Sequence, residues 1–187
     1  MIKFIFAVTF LFAGLVQASE IAKDSIYQVD NKWTDQENSS FQLSDLKGTP
    51  VIITMVYLSC PHTCPLTIAK LKEIEKKLSE KKLKGYQIVL VSFDYEHDRP
   101  QKLKAYMADK KLDPSRWKLL TAKNDDEVRA LSIVLGINYR RLEDGDYSHS
   151  NIISVLDKEG RIISKIDRLS ADDAVLVKAM ESNFGNK

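Results

Sequence analysis

The sequence predicts an α/β domain: a central mixed β-sheet flanked by helices, with an N-terminal β extension. Three observations predict it. First, β-rich apolar runs alternate with stretches whose apolar residues recur every three or four positions. Second, the runs PVIITMVYL (50–58) and YQIVLVSF (86–93) are continuous, the pattern of strands covered on both faces. Third, two apolar runs around DKEG form a late β-hairpin, and a helical stretch follows it.

The elements follow in order. Residues 19 to 48 are polar, with short apolar groups at SIYQV and FQLSDL that read as a hairpin or an extended lead-in. The run at 50–58 is a central strand and leads directly into SCPHTCP. Beyond it Ile68, Leu71, Ile74 and Leu78 recur at helical spacing among lysines and glutamates. Pro65 suits the first turn of that helix. Gly85 follows the helix, then the strand at 86–93. RPQKLKAYMADKKL is a second helix with Pro100 near its start, and RWKLLTA is a short strand. NDDEVRALSIVLGI is a helix capped by Asn124 or Asp125 and ended by Gly136. SNIISVLDKEGRIISKID is the hairpin. SADDAVLVKAMESNF is the last helix, with Ser170 and Asp173 as a capping box. No internal repeat, linker or low-complexity tract interrupts the series. A strand, then cysteines, then a helix, with a late hairpin and a final helix, is the order of a thioredoxin-like fold.

The chain has 187 residues, 44% of them hydrophobic and 29% charged, which is enough to bury a core within one domain. A net charge of +2 gives no ground for binding nucleic acid or an anionic membrane surface. The lysine-rich run KKLSEKKLKGY, with Glu75 and Glu80 interleaved, reads as a solvated helix face. A monomer is the expectation.

The first 18 residues, MIKFIFAVTFLFAGLVQA, carry a single charge at Lys3, an apolar run from Phe4 to Val16, and Val16 and Ala18 at the −3 and −1 positions of a cleavage site. This is the pattern of a secretory signal peptide, leaving a single domain over 19–187. The run is shorter than the ~20 residues that a spanning helix needs. The expectation is a periplasmic protein beginning near Ser19, attached to a membrane only if the leader stays uncut. Its cysteines then meet an oxidising compartment.

The chain has two cysteines, Cys60 and Cys64, both within five positions of YLSCPHTCP, with three residues between them. A disulfide between them closes almost no loop, so fold stability is a poor reason for the pair. They follow the carboxyl end of a central strand, where α/β sheets present ligands. Cys64 stands at a helix start, where the dipole and free N–H groups favour a thiolate. On a helical turn, residues i and i+4 share a face, so the sulfurs can meet on one metal ion or close a disulfide. Two soft thiolates select soft ions, above all Cu(I). Zinc wants four ligands, and the three histidines, His62, His97 and His149, are what remains to supply them. His149, in DGDYSHSNIISVL, is the best third ligand. His62, between the cysteines, and His97, after a strand in SFDYEHDRP, stay open.

The stretch GTPVIITMVYLSCPHTCPLTIAKL resembles the SCO/SenC family of copper-binding thioredoxin-fold proteins. So, in order, do YQVDNKWTDQ, LVSFDYEHDRPQKLKAYM, RWKLLTA and DYSHSNIISVLDKEGRI, which extends the match over about 25–183. The resemblance implies that Cys60, Cys64 and His149 bind copper, with Cu(I) the expectation and Cu(II) the alternative. It implies that the cysteines cycle between dithiol and disulfide. It also implies help in assembling the binuclear copper site of cytochrome c oxidase, by delivering copper or by reducing that site's cysteines. The partner is then the copper-site subunit of the oxidase or another periplasmic copper or thiol protein. Asp94 and Asp98 match the family's acidic pair, which shapes the site or a partner surface. His62 and His97 depart from the family pattern. Most members are tethered by an N-terminal anchor, where this chain carries a cleavable leader.

The leading reading is thus a metallochaperone and assembly factor rather than a turnover enzyme. The alternative is a thiol–disulfide oxidoreductase or redox sensor using the same pair without metal. Three residues between the cysteines, against two in thioredoxin-type motifs, favour metal. A peroxidase is disfavoured because Tyr57 stands where a peroxiredoxin places its cysteine.

Overall fold

The computed structural model describes residues 21–59, 63–143 and 145–185. The leader therefore lies outside the described residues. Among those described, no helix is long and apolar enough to cross a membrane.

The core is a seven-stranded mixed sheet. Strands β1 (Trp33–Asp35), β2 (Ser40–Phe41), β3 (Val51–Val56), β4 (Gln87–Ser92), β5 (Trp117–Thr121), β8 (Ile153–Leu156) and β9 (Ile162–Ile166) lie in the order β2-β1-β5-β4-β3-β8-β9. A separate two-stranded sheet pairs β6 (Tyr139–Arg141) with β7 (Tyr147–His149). β3, β4 and β5 run parallel, and β1 and β8 pair antiparallel to them. Every residue of β3 is buried, and so are five of the six in β4. These are the two continuous apolar runs of the sequence, and a parallel strand needs cover on both faces.

Helices α1 (Thr63–Glu80), α2 (Pro100–Asp109), α3 (Asp125–Leu135) and α4 (Ala174–Gly185) flank the sheet. Ile68, Leu71, Ile74 and Leu78 form the buried stripe of α1, as their spacing requires. Pro65 falls in its first turn, where a backbone N–H would have no intrahelical partner. Pro100 opens α2. Asn124 caps α3 by accepting the Glu127 amide at 3.0 Å, and three acidic residues in that first turn complement the dipole. Gly136, at φ 71°, ends it in the left-handed conformation.

Two expectations need correction. SIYQV is not extended: Ile26–Gln28 forms a 3-10 turn, with Ile26 and Tyr27 buried and Ser25 Oγ accepting the Tyr27 amide. The hairpin of the lead-in is instead β1–β2, Trp33 opposite Phe41. Ser170 and Asp173 do not form a capping box, because α4 starts at Ala174 and Asp173 faces α1. There its buried carboxylate meets Lys77 at 2.6 Å and Lys70 at 3.1 Å. Burial raises the Asp173 pKa, but the hydrogen bonds from Lys77 and Lys70 outweigh it and hold the carboxyl below its usual range.

Candidate functional site

The site is assembled at the carboxyl ends of β3 and β4. After β3 the chain continues through buried Tyr57 to Leu58 and Ser59, immediately before Cys60. Cys60 and His62 lie outside the described residues, and of Cys64 only the backbone is described, in the first turn of α1. What the structure specifies is the frame that delivers them.

That frame rests on Asp98, which has 0% exposure. Its Oδ2 accepts the Leu58 amide at 2.8 Å and the Ser92 hydroxyl at 2.6 Å. Its Oδ1 pairs with Lys102 Nζ at 2.7 Å, and the same ammonium donates to Ser59 Oγ at 2.7 Å. One carboxylate therefore ties the end of β3, the end of β4 and the first turn of α2 together, and Lys102 extends the tie to the residue before Cys60. A buried charge survives only with such partners. Asp94 is also buried. Its amide donates to Ser92 Oγ at 3.0 Å, and its Oδ1 lies 2.8 Å from His97 Nδ1.

His149 reaches this end of the sheet from β7. The β6–β7 register sets it opposite Tyr139. Its ring lies edge-on to Tyr57, centroids 6.0 Å apart, and 5.0 Å from Phe93. Phe93 also stacks on Tyr139 at 5.5 Å and meets Tyr147 at 5.1 Å. Each such aromatic contact stabilises by about 0.5–1.5 kcal/mol beyond area burial, so the hairpin is pinned to the strand ends by its rings. The Tyr57 hydroxyl donates to Asp146 in the turn of the same hairpin. Burial, then the Asp94 charge, pushes the Tyr147 hydroxyl up to about 12, so it stays protonated at neutral pH. His149 Nδ1 lies 3.2 Å from the Ser150 carbonyl oxygen. A carbonyl only accepts, so Nδ1 carries the proton and the lone pair sits on Nε2, the nitrogen able to hold a metal.

The loop that carries His149 returns to the strand ends that lead into the cysteine segment. His97 comes to the same end, 57% exposed, in a cleft of about 550 Å³ shared with Tyr57, Ser59, Asp94, Arg141 and Asp146. Sequence reasoning missed Lys102 and the aromatic support from Phe93, Tyr139 and Tyr147. The signal for the latter was present in the aromatics that end two buried strands and flank His149.

A thioredoxin-like fold in which the buried strand β3 is followed in sequence by the two cysteines and helix α1 defines the class. Comparison with known proteins places the chain within it. The family described as SCO1/SenC matches residues 20–183, and the chain belongs to that family. An SCO1 protein homolog of Bacillus subtilis is 26% identical over 125 residues, covering 66% of this chain and 64% of that protein. The chain thus spans a little under two thirds of that relative's length. Yeast Sco1, solved with copper bound, superposes with a TM-score of 0.69 at 24% identity, over 84% of this chain and 87% of that one. BsSco, described as a member of the Sco family of cytochrome c oxidase assembly proteins and studied for a disulfide switch, gives 0.73 at 20% identity, over 83% and 92%. At these identities the structural likenesses establish the fold.

Proposed function

We propose that this protein binds copper through Cys60, Cys64 and His149, and that it serves the assembly of the binuclear copper site of cytochrome c oxidase. The observation that carries the reading is the placement of His149. Its ring rests on Tyr57 and Phe93, at the strand ends that lead to the cysteines, and its tautomer leaves Nε2 as donor. Two thiolates and one imidazole form a soft donor set that suits Cu(I). The start of α1 favours the anionic sulfur of Cys64. Copper is cargo in this reading, and the chain's part is to hold it and present it. Asp98 and Lys102 fix the approach to Cys60, and the aromatic contacts fix His149. The copper-bound yeast relative and the family's oxidase-assembly role support it.

In the same reading the leader directs the chain across the inner membrane and is removed, leaving a periplasmic protein. The experiment is a Cu(I) titration of the reduced mature protein against a competing chelator. One Cu(I) per chain is expected, with affinity lost in Cys60→Ser and Cys64→Ser and weakened in His149→Ala. Full, tight binding by Cys60→Ser overturns the assignment.

A further inference from the structure

We infer that Asp125, the first residue of α3, is a positioning residue for His149 and acts through the hydroxyl of Tyr139. The inference deepens the copper reading above, in which His149 is a ligand.

The hairpin that carries His149 has little of its own to fix its place. Among the described residues, β6 and β7 pair with each other and with no strand of the main sheet. A two-stranded hairpin by itself is marginally stable at best. Side-chain contacts with the body of the protein therefore decide where His149 sits. Arg141 meets Glu96 at 2.8 Å, but both side chains are half exposed, and such a pair contributes little.

The contact from α3 is of another kind. The Tyr139 hydroxyl donates to Asp125 Oδ1 at 2.6 Å. That bond holds the Asp125 carboxyl below its ordinary range, so the acceptor is ionised at neutral pH, and a charge-assisted bond is a strong one. Arg129, one turn further along α3, engages Asp125 Oδ2 at 2.7 Å and lies 5.8 Å from the centroid of the Tyr139 ring. Asp125 directly follows the Asn124 cap, so a helix end holds the phenol.

A tyrosine bonded to a carboxylate is most often only structural. What sets Tyr139 apart is what its ring touches. The β6–β7 register places it directly opposite His149, where cross-strand neighbours pack on one another. Its ring also stacks on Phe93 at 5.5 Å with the planes 15° apart, and Phe93 lies 5.0 Å from the His149 ring. Asp125 thus acts on the imidazole along two routes, across the strand pair and through Phe93.

The test compares wild type with Tyr139→Phe, Asp125→Ala and Asp126→Ala, each as the reduced mature chain and checked for folding by circular dichroism. Asp126 is a second acidic residue of the same first turn, so its loss reports any general weakening of α3. The first readout is nuclear magnetic resonance of the metal-free protein. The His149 ring protons lie close to the Phe93 and Tyr57 rings, and their shifts report small displacements. They should move in Tyr139→Phe and in Asp125→Ala and hold still in Asp126→Ala. The second readout is Cu(I) affinity by chelator competition. Tyr139→Phe should weaken it by about three- to tenfold, the worth of one net hydrogen bond, and should cost nothing further in a His149→Ala background. Unmoved His149 protons in Tyr139→Phe overturn the inference. So does an equal movement in Asp126→Ala, or the same Cu(I) loss with and without His149. A wild type that binds no Cu(I) sinks the copper reading alone, and the metal-free spectra still decide the positioning role.

Discussion

The buried carboxylate of Asp98 accepts the Leu58 amide at 2.8 Å, so a residue on the approach to α2 holds the end of β3 two positions before Cys60. Removing it leaves the part-buried Leu58 amide and the buried Ser92 hydroxyl without their acceptor and takes the carboxylate from Lys102. Asp98→Ala should lower unfolding free energy by about 1–3 kcal/mol. Urea unfolding measures it, and a midpoint equal to wild type contradicts the bridging role.

Asp173 gives a pH signature. Its folded pKa lies below the ordinary value, because the hydrogen bonds from Lys77 and Lys70 outweigh burial. The stability from this pairing is fully present above the unfolded pKa of about 3.9, and it is lost as pH falls through the folded pKa. Asp173→Asn should therefore be destabilised at neutral pH, with the gap to wild type closing as pH falls below about 4. Thermal melts at stepped pH read this directly. A gap that widens on acidification means the ion pair is not the stabilising contact.

Gly160 sits at φ +81° against the N-terminal turn, where a Cβ would lie 2.6 Å from Ser25 Oγ and from the Tyr27 ring. Gly160→Ala should cost about 1–3 kcal/mol through overpacking and backbone strain. Differential scanning calorimetry on the mature chain checks it. An unshifted melting temperature implies that the turn is not docked there.

Copper capture and oxidation should exclude each other. Cu(I) needs both sulfurs as thiolates, and a Cys60–Cys64 disulfide offers neither. The protein, oxidised to the intramolecular disulfide and verified by mass, should bind Cu(I) far more weakly than the dithiol form. If the two forms bind equally, the cysteines are not the ligands, and the site must be rebuilt around the histidines.

The leader should be removed. Mass spectrometry of the exported chain is expected to show a terminus near Ser19. An intact Met1 in the membrane fraction points instead to an anchor.

The central strands were legible because burial on both faces leaves an unbroken apolar run, as in Ile52–Val56 and Ile88–Val91. Helix α1 was legible because one stripe faces the core. The β6–β7 hairpin was not. Its strands have three residues each, Tyr-Arg-Arg and Tyr-Ser-His, and show no period; they are held by ring contacts with Tyr57 and Phe93 that only the fold creates. Asp173 misled for a similar reason. Its spacing from Ser170 reads as a cap, yet two lysines of a distant helix claim the carboxylate. At the site, sequence singled out His149 as a candidate, and the structure sets its ring against Tyr57 and Phe93 at the strand ends. The Asp98–Lys102–Ser59 tie joins residues up to 43 positions apart and leaves no local trace.

The docking of the N-terminal turn also orients the molecule. Ile26 donates to the Gly160 carbonyl and Ser25 to that of Glu159, at the bend between β8 and β9. Because Leu156 pairs with Val51, that bend lies at the foot of β3, whereas Tyr57 stands at its head. The length of the strand, about 20 Å, separates the two poles. The N-terminal turn is therefore docked at one end of β3, and Tyr57, with the His149 ring against it, stands at the opposite end.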